Sequence, residues 1–160
     1  MKVKDIMKTE PATCTPDTTL AAAAHLMWES DCGILPVVDD GELVGVVTDR
    51  DMYIALATRN ERASRLRIGA VANKTLWTCE PEDDLHAVLA TMKQHRVRRL
   101  PVVGFGRTVL GVVSMNDLVL AAGTDASVRN DEVMDVLKAI CAHHHPVPHC
   151  DRCLTARCLS

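Results

Sequence analysis

The sequence has few aromatic residues and no excess of positive charge. Trp28, Tyr53, Trp77 and Phe105 are the only aromatic residues of these types among 160, so the stacking platforms that bind single-stranded nucleic acid are poorly supplied. The formal net charge of −3 gives no reason to expect a polyanionic partner such as DNA. The composition therefore predicts no nucleic-acid partner.

The sequence also lacks a long hydrophobic run. No stretch reaches the length of a membrane span, and residues 1–5 lack the apolar core of a signal peptide. We therefore expect no membrane partner and a cytoplasmic location. In that compartment the seven cysteines are expected to be reduced thiols or metal ligands rather than a disulfide framework.

One seven-residue stretch occurs twice. Residues 45–51 read Gly-Val-Val-Thr-Asp-Arg-Asp, and residues 111–117 read Gly-Val-Val-Ser-Met-Asn-Asp. In each copy a β-branched run typical of a buried strand ends at a hydroxyl residue, and an apolar helix pattern follows. Thr48 with Asp51, and Ser114 with Asp117, fit the capping box that begins a helix.

The same residue types suit a phosphorylated ribose. A helix N-terminus with free N–H groups and a hydroxyl binds anions, and a carboxylate one turn further on can hold a vicinal diol. A single capping box predicts only a helix start. The nucleotide interpretation therefore depends on how far the repetition extends.

The repetition extends over most of the chain. A spacing of 65 residues pairs Val3 with Ile68, Thr13 with Thr78, Pro16 with Pro81, Leu20 with Leu85, Met27 with Met92, and the Leu-Pro-Val-Val of 35–38 with that of 100–103. After one extra residue in the second hairpin, the spacing becomes 66. A constant spacing of this kind indicates a duplicated unit.

Each unit is predicted to be β-α-β-β-α. In the first unit we expect a short extended segment at 12–14, a helix over 20–30, strands over 34–38 and 43–47 joined by an Asp-Gly turn, and a helix over 49–58. The domain boundaries are then 1–58 for repeat 1, 59–67 for a polar, mostly basic linker, 68–122 for repeat 2 and 123–160 for a C-terminal helix and a Cys/His-rich tail.

Two units of this size are marginal alone because short chains bury too little surface. We therefore expect them to pack together around a pseudo-twofold axis in an α/β fold. That packing leaves two equivalent clefts, each near one Gly-Val-Val-(Thr/Ser) strand end.

From Val3 to Ala122 the chain resembles a tandem pair of CBS domains, also called a Bateman module. The resemblance rests on the repeated Leu-Pro-Val-Val strand, the Asp-Gly turn of the first unit, and Gly-Val-Val-Thr-Asp-Arg-Asp with its second copy at 111–117. It implies the β-α-β-β-α fold and a non-enzymatic regulatory module, usually a homodimer. It also implies an adenosine-containing ligand such as AMP, ADP, ATP, S-adenosylmethionine or a dinucleotide.

The resemblance also implies roles for individual residues. It assigns Thr48 and Ser114 to phosphate or ribose oxygens, and Asp51 and Asp117 to the ribose hydroxyls. It assigns the adenine pocket, mainly through backbone groups, to segments that include Thr13, Thr15, Pro16, Ile34, Pro36, Thr78, Pro81, Arg99 and Pro101.

The two repeats differ just before the Leu-Pro-Val-Val strand. The second has Arg98 and Arg99 where the first has Gly33 and Ile34. Because arginine offers a bidentate fork to phosphate, we hypothesise that the two sites are unequal and that phosphate favours the one these arginines reach. The alternative is that both are solvated residues that favour a helix C-terminus.

After residue 123 the repeat is finished. A helix is predicted from Asp125 to about His143, with Val133, Leu137 and Ile140 on one face that packs on the module or on a second subunit. Arg50 and Asn116, within the repeated motif, are expected to face water.

The tail carries a candidate metal site. Cys150, Cys153 and Cys158 with His149 are enough ligands for a tetrahedral zinc site. The alternatives are a flexible thiol-rich tail and a redox-responsive one. Three further cysteines, Cys14, Cys32 and Cys79, are expected to be small core residues.

The leading function is a non-enzymatic adenine-nucleotide sensor that signals to an unidentified protein target in trans, because the chain carries no catalytic or DNA-binding domain of its own. The alternative is a metal- or redox-responsive protein that senses through its tail and uses the CBS pair as a dimerisation scaffold. An enzyme is disfavoured because no Ser-His-Asp order, Walker loop or pair of catalytic carboxylates stands out.

Overall fold

The computed structural model describes residues 1–123 and 128–142. In these residues two β-hairpins are each flanked by helices, and a further helix follows the second repeat. In chain order the elements are β1 (Lys8–Thr9), α1 (Leu20–Glu29), β2 (Ile34–Asp39), β3 (Glu42–Thr48), α2 (Asp49–Arg59), α3 (Leu85–His95), β4 (Arg99–Val103), β5 (Val109–Ser114), α4 (Met115–Ala121) and α5 (Asn130–Cys141). The predicted α/β class and the β-α-β-β-α pattern are confirmed.

Each repeat contributes one antiparallel hairpin, β2–β3 or β4–β5. Both hairpins have a register shift at the equivalent position, between Val37 and Val38 in the first and between Val102 and Val103 in the second. The predicted extended segments lie beside the hairpins, where Cys14 and Cys79 form parallel bridges to Val37 and Val102. Local sequence similarity between the repeats therefore extends to details of strand geometry.

The lead-in segment of each repeat packs on the other repeat. Val3 is fully buried in the core of the second repeat, and its counterpart Ile68 is fully buried in the core of the first. The strand β1 pairs with β5 through Lys8 and Val112, and a bridge between Asn73 and Val46 mirrors that pairing. This reciprocal exchange joins two small cores, each of which buries little surface by itself.

The segment that joins the repeats is held against the first helix. Leu66 is buried in the first core, and its carbonyl accepts a hydrogen bond from the backbone N–H of Leu20 at 2.8 Å. The carbonyl of Ala63 accepts from Ala21 in the same way, at 3.1 Å. These bonds satisfy N–H groups in the first turn of α1, which have no partner inside the helix.

The C-terminal helix α5 packs on α3 and α4. Val133 and Val136 are buried there, and Leu137 and Ile140 are partly buried against the second core. The helix begins at Asn130 rather than at the predicted Asp125. A local signal sets this start, because the Glu132 carboxylate accepts a hydrogen bond from the backbone N–H of Arg129 at 3.1 Å.

The exchange of lead-in segments makes a testable prediction about stability. We expect Ile68→Ala to lower the free energy of unfolding by about 2–5 kcal/mol, because it leaves a cavity in the first core. Val44→Ala, at a side chain 39% exposed on β3, is the matched control and should have a small effect. Urea unfolding measures both.

Native-state hydrogen exchange then locates the damage. Although Ile68 belongs to the second repeat in sequence, its truncation should lower protection in β2 and β3 more than in β4 and β5. The opposite distribution would contradict the exchanged packing.

Candidate functional site

Two clefts lie where the repeats meet, and each combines parts of both. The first cleft, of about 210 Å³, joins the start of α4 to the segment before β2. The second cleft, of about 590 Å³, joins the start of α2 to the segment before β4. Both clefts therefore lie near a Gly-Val-Val-(Thr/Ser) strand end, as the repetition predicts.

A complete capping box forms part of the wall of the second cleft. The Asp51 carboxylate accepts hydrogen bonds from the Thr48 hydroxyl at 2.7 Å and from the Thr48 backbone N–H at 3.0 Å. The backbone N–H of Asp51 donates to the Thr48 hydroxyl at 3.2 Å. Both residues line the cleft, so the hydroxyl and the carboxylate are held in fixed positions at a helix N-terminus.

The first cleft carries the same arrangement. The Asp117 carboxylate accepts from the Ser114 hydroxyl at 2.6 Å and from the Ser114 backbone N–H at 2.8 Å. In both boxes these bonds go to one carboxylate oxygen, Oδ2. Within 1–123 and 128–142, no residue donates to the other oxygen of either carboxylate, which leaves an acceptor for a ligand hydroxyl.

The two clefts differ in charge. The charged residues that line the first cleft are Lys8, Asp31, Arg99 and Asp117, in which cations and carboxylates balance. The second cleft has four arginines against two carboxylates, namely Arg50, Arg96, Arg98, Arg99, Asp49 and Asp51. The second cleft is therefore the one whose charge suits phosphate.

An aromatic pair also distinguishes the second cleft. Trp77 stacks on His95 with ring centroids 3.3 Å apart and planes 11° from parallel, and both residues line this cleft. Their counterparts in the first cleft, at the spacing of 65, are Ala12 and Ser30. Sequence reasoning missed this pair, although pairing each repeat position with its counterpart points to Trp77 opposite Ala12.

The residues predicted to bind ligand fall into two groups. Ile34 and Arg99 line both clefts, Thr48, Asp51, Arg98 and Pro101 line the second, and Ser114 and Asp117 line the first. The remaining predicted residues, Thr13, Thr15, Pro16, Pro36, Thr78 and Pro81, line neither cleft. Arg50 and Asn116, which were expected to face water, line the second and the first cleft respectively.

Several residues of the second group have local structural partners. The backbone N–H of Thr15 donates to the Thr18 hydroxyl at 3.0 Å, and the carbonyl of Pro16 accepts from Gly69 at 2.8 Å. The carbonyl of Pro36 accepts from Cys14 at 3.0 Å. A role in binding adenine stays a prediction for these positions.

Arg98 directly precedes β4, and Arg99 is the first residue of that strand. The Arg98 guanidinium approaches the Cys141 sulfur of α5 at 3.7 Å, and Ile140 of the same helix lines the second cleft. In the part of the chain that the structure describes, neither Arg98 nor Arg99 donates a side-chain hydrogen bond to a carbonyl of α3. Both side chains line the second cleft, and α5 borders it.

The cysteines of the core differ from one another. Burial raises the pKa of the Cys14 thiol to about 11 and, together with the Asp83 charge, that of Cys79 to about 12. These two are the small core residues that the sequence predicts. Cys32 is only partly buried and lines the first cleft.

The predicted zinc ligands Cys150, Cys153, Cys158 and His149 lie outside the described residues. Within 1–123 and 128–142, no group of three or more His, Cys, Asp or Glu side chains is arranged to hold a metal ion. No helix in those same ranges is long and apolar enough to cross a bilayer.

The chain matches the family model of the CBS domain twice, over residues 3–58 and 68–123. It is 39% identical over 118 residues to the CBS domain-containing protein YhcV of Bacillus subtilis, which covers 74% of this chain and 83% of YhcV. It is 31% identical over 140 residues to hypoxic response protein 1 of Mycobacterium tuberculosis, which covers 87% and 93%. These relatives are matched over most of their length.

Two proteins of known structure that this chain resembles carry bound groups. The CBS domain pair of protein MJ0100, in complex with 5′-methylthioadenosine and S-adenosyl-L-methionine, has a TM-score of 0.69 at 27% identity and covers 75% of this chain and 94% of that one. Hypoxic Response Protein I with two coordinated zinc ions has a TM-score of 0.69 at 30% identity and covers 76% and 98%.

Enzymes are matched over a smaller part of their length. Homoserine O-acetyltransferase of Methanosphaera stadtmanae is 33% identical over 114 residues, which are 22% of that enzyme. The similarity to that enzyme therefore concerns only a minor part of it.

Proposed function

The chain belongs to the CBS-domain family, and on that premise we propose that it is a non-enzymatic module that binds adenosine-containing ligands between its two repeats and signals to a protein partner. One observation carries the proposal. Each cleft joins a helix N-terminus with a fixed hydroxyl–carboxylate pair to a segment of the other repeat. A ligand in such a cleft contacts both repeats and favours the arrangement in which both contacts form.

The capping boxes support the assignment of the ribose. The free oxygens of Asp51 and Asp117 are acceptors for the 2′- and 3′-hydroxyls, and the helix N-termini beside them favour negative charge. The complex of MJ0100 with two adenosine compounds supports the same ligand class for this chain.

The difference in charge between the two clefts supports a different ligand preference for each. Arg98 and Arg99 with the other two arginines of the second cleft suit the phosphates of ATP, ADP or AMP, and Trp77 offers the adenine an aromatic face. The balanced first cleft suits a less charged adenosine compound, such as S-adenosylmethionine. We therefore propose that adenine nucleotide binds the second cleft first.

Thermal shift against adenosine, AMP, ADP, ATP and S-adenosylmethionine tests the proposal. A ligand that binds only the folded state raises the unfolding midpoint, and we expect the rise to grow from adenosine to ATP. Asp51→Ala with Asp117→Ala should abolish the rise, as measured from the midpoint of the unliganded variant. Arg107→Ala, at an exposed arginine in neither cleft, is the control and should leave the rise unchanged.

A midpoint that none of these compounds moves would refute the nucleotide proposal. If a chelator lowers the midpoint in that case, the second candidate function gains support. The two zinc ions of Hypoxic Response Protein I and the ligand set of Cys150, Cys153, Cys158 and His149 favour it. Changing the three cysteines to serine should then remove the chelator effect, whereas nucleotide binding survives that change if the leading function is right.

We further propose that two copies of the chain form a homodimer through α2 and α4. These helices expose apolar side chains at equivalent positions, Tyr53 and Ile54 on α2 and Val119 and Leu120 on α4. A second copy related by a twofold axis covers both faces at once. Analytical ultracentrifugation should give a dimer for the wild type and a monomer for Leu120→Asp, and an unchanged mass for the variant would contradict this interface.

A further inference from the structure

The two clefts meet at a pair of counterpart residues. Ile34 and Arg99 occupy equivalent positions in the two repeats, and each of them lines both clefts. One counterpart is apolar and the other is a cation. The boundary between the clefts therefore carries a single guanidinium where a strictly symmetric protein would carry two or none.

Gly33 lies close to this guanidinium. A Cβ atom added to Gly33 would lie 3.0 Å from Arg99 Nη2 and 3.1 Å from Asp49 Oδ2. The missing side chain thus leaves the space in which Arg99 lies. The counterpart of Gly33 in the second repeat is Arg98, so the first repeat has no cation at this position.

Arg99 is also free to bind a ligand. It is partly buried, and within the described ranges its guanidinium forms no hydrogen bond and no ion pair. The five N–H donors of this partly buried cation are therefore available to an anionic ligand.

We propose that Arg99 is a phosphate contact shared by the two clefts, so that a nucleotide in one cleft weakens the binding of a second nucleotide in the other. One guanidinium cannot neutralise two polyphosphates. Either it turns to one ligand, or the two phosphate chains approach each other around it and repel. The inference rests on the proposed function and adds negative coupling between the sites.

The loss of affinity is expected mainly in the first cleft. The second cleft keeps Arg50, Arg96 and Arg98 when Arg99 serves the first. The first cleft keeps only Lys8 against two carboxylates when Arg99 serves the second. The second cleft therefore fills first, and the first cleft binds ATP with reduced affinity afterwards.

The test separates coupling from a simple difference between the sites. All variants carry Trp28→Phe, so that Trp77 emission reports the second cleft while calorimetry with ATP reports total binding. Arg50→Ala with Arg98→Ala weakens the second cleft without touching Arg99. The parent protein for comparison carries Trp28→Phe alone, and its first cleft binds ATP after the second cleft is filled. The first cleft of the double arginine variant should bind ATP at least about fivefold more tightly than that.

Removing the shared residue should remove the effect. Adding Arg99→Ala to that variant should abolish the gain in first-cleft affinity, and Arg107→Ala in place of Arg99→Ala should preserve it. If the first cleft binds ATP with the same affinity whether the second cleft is weakened or filled, the coupling is overturned. Two bound nucleotides in that experiment would still support the proposed function. If ATP binds to neither cleft, both are refuted.

Discussion

The reciprocal packing of Val3 and Ile68 fixes the relation between the two repeats. Each side chain is fully buried in the core of the other repeat, so neither repeat can keep its core and move away from its partner. This constraint holds the helix start of one repeat beside the segment before the strand of the other, and the two clefts exist because of it. A ligand that fills a cleft would therefore contact both repeats.

The scaffold is symmetric, and the chemistry on it is not. Hairpin register, capping boxes and exchanged segments repeat at equivalent positions, because both copies retain the residues that form them. Apart from the capping boxes, several side chains that line the clefts have diverged. Gly33 stands opposite Arg98, and Ala12 opposite Trp77, so one cleft has gained charge and an aromatic surface that the other lacks. Arg99 lies at the boundary between the two clefts.

Sequence reasoning succeeds here where the signal is local or repeated. The capping boxes join residues three positions apart, and the constant spacing of the repeat allows the order of strands and helices to be predicted. It falls short where distant segments meet. Nothing near Lys8 in sequence indicates that it lines a cleft with Asp117, and the start of α5 depends on the Arg129–Glu132 box rather than on the apolar period. Thr15 and Pro16 lie at the start of a turn, and their partners are Thr18 and Gly69.

A crystal structure of the protein with one equivalent of ATP tests the central claim most directly, since it shows which cleft binds the nucleotide and which side chains contact it. The account predicts electron density in the second cleft, with the ribose on Asp51 and the phosphates on Arg98 and Arg99. ATP bound in the first cleft alone, or held by residues outside both clefts, would contradict it.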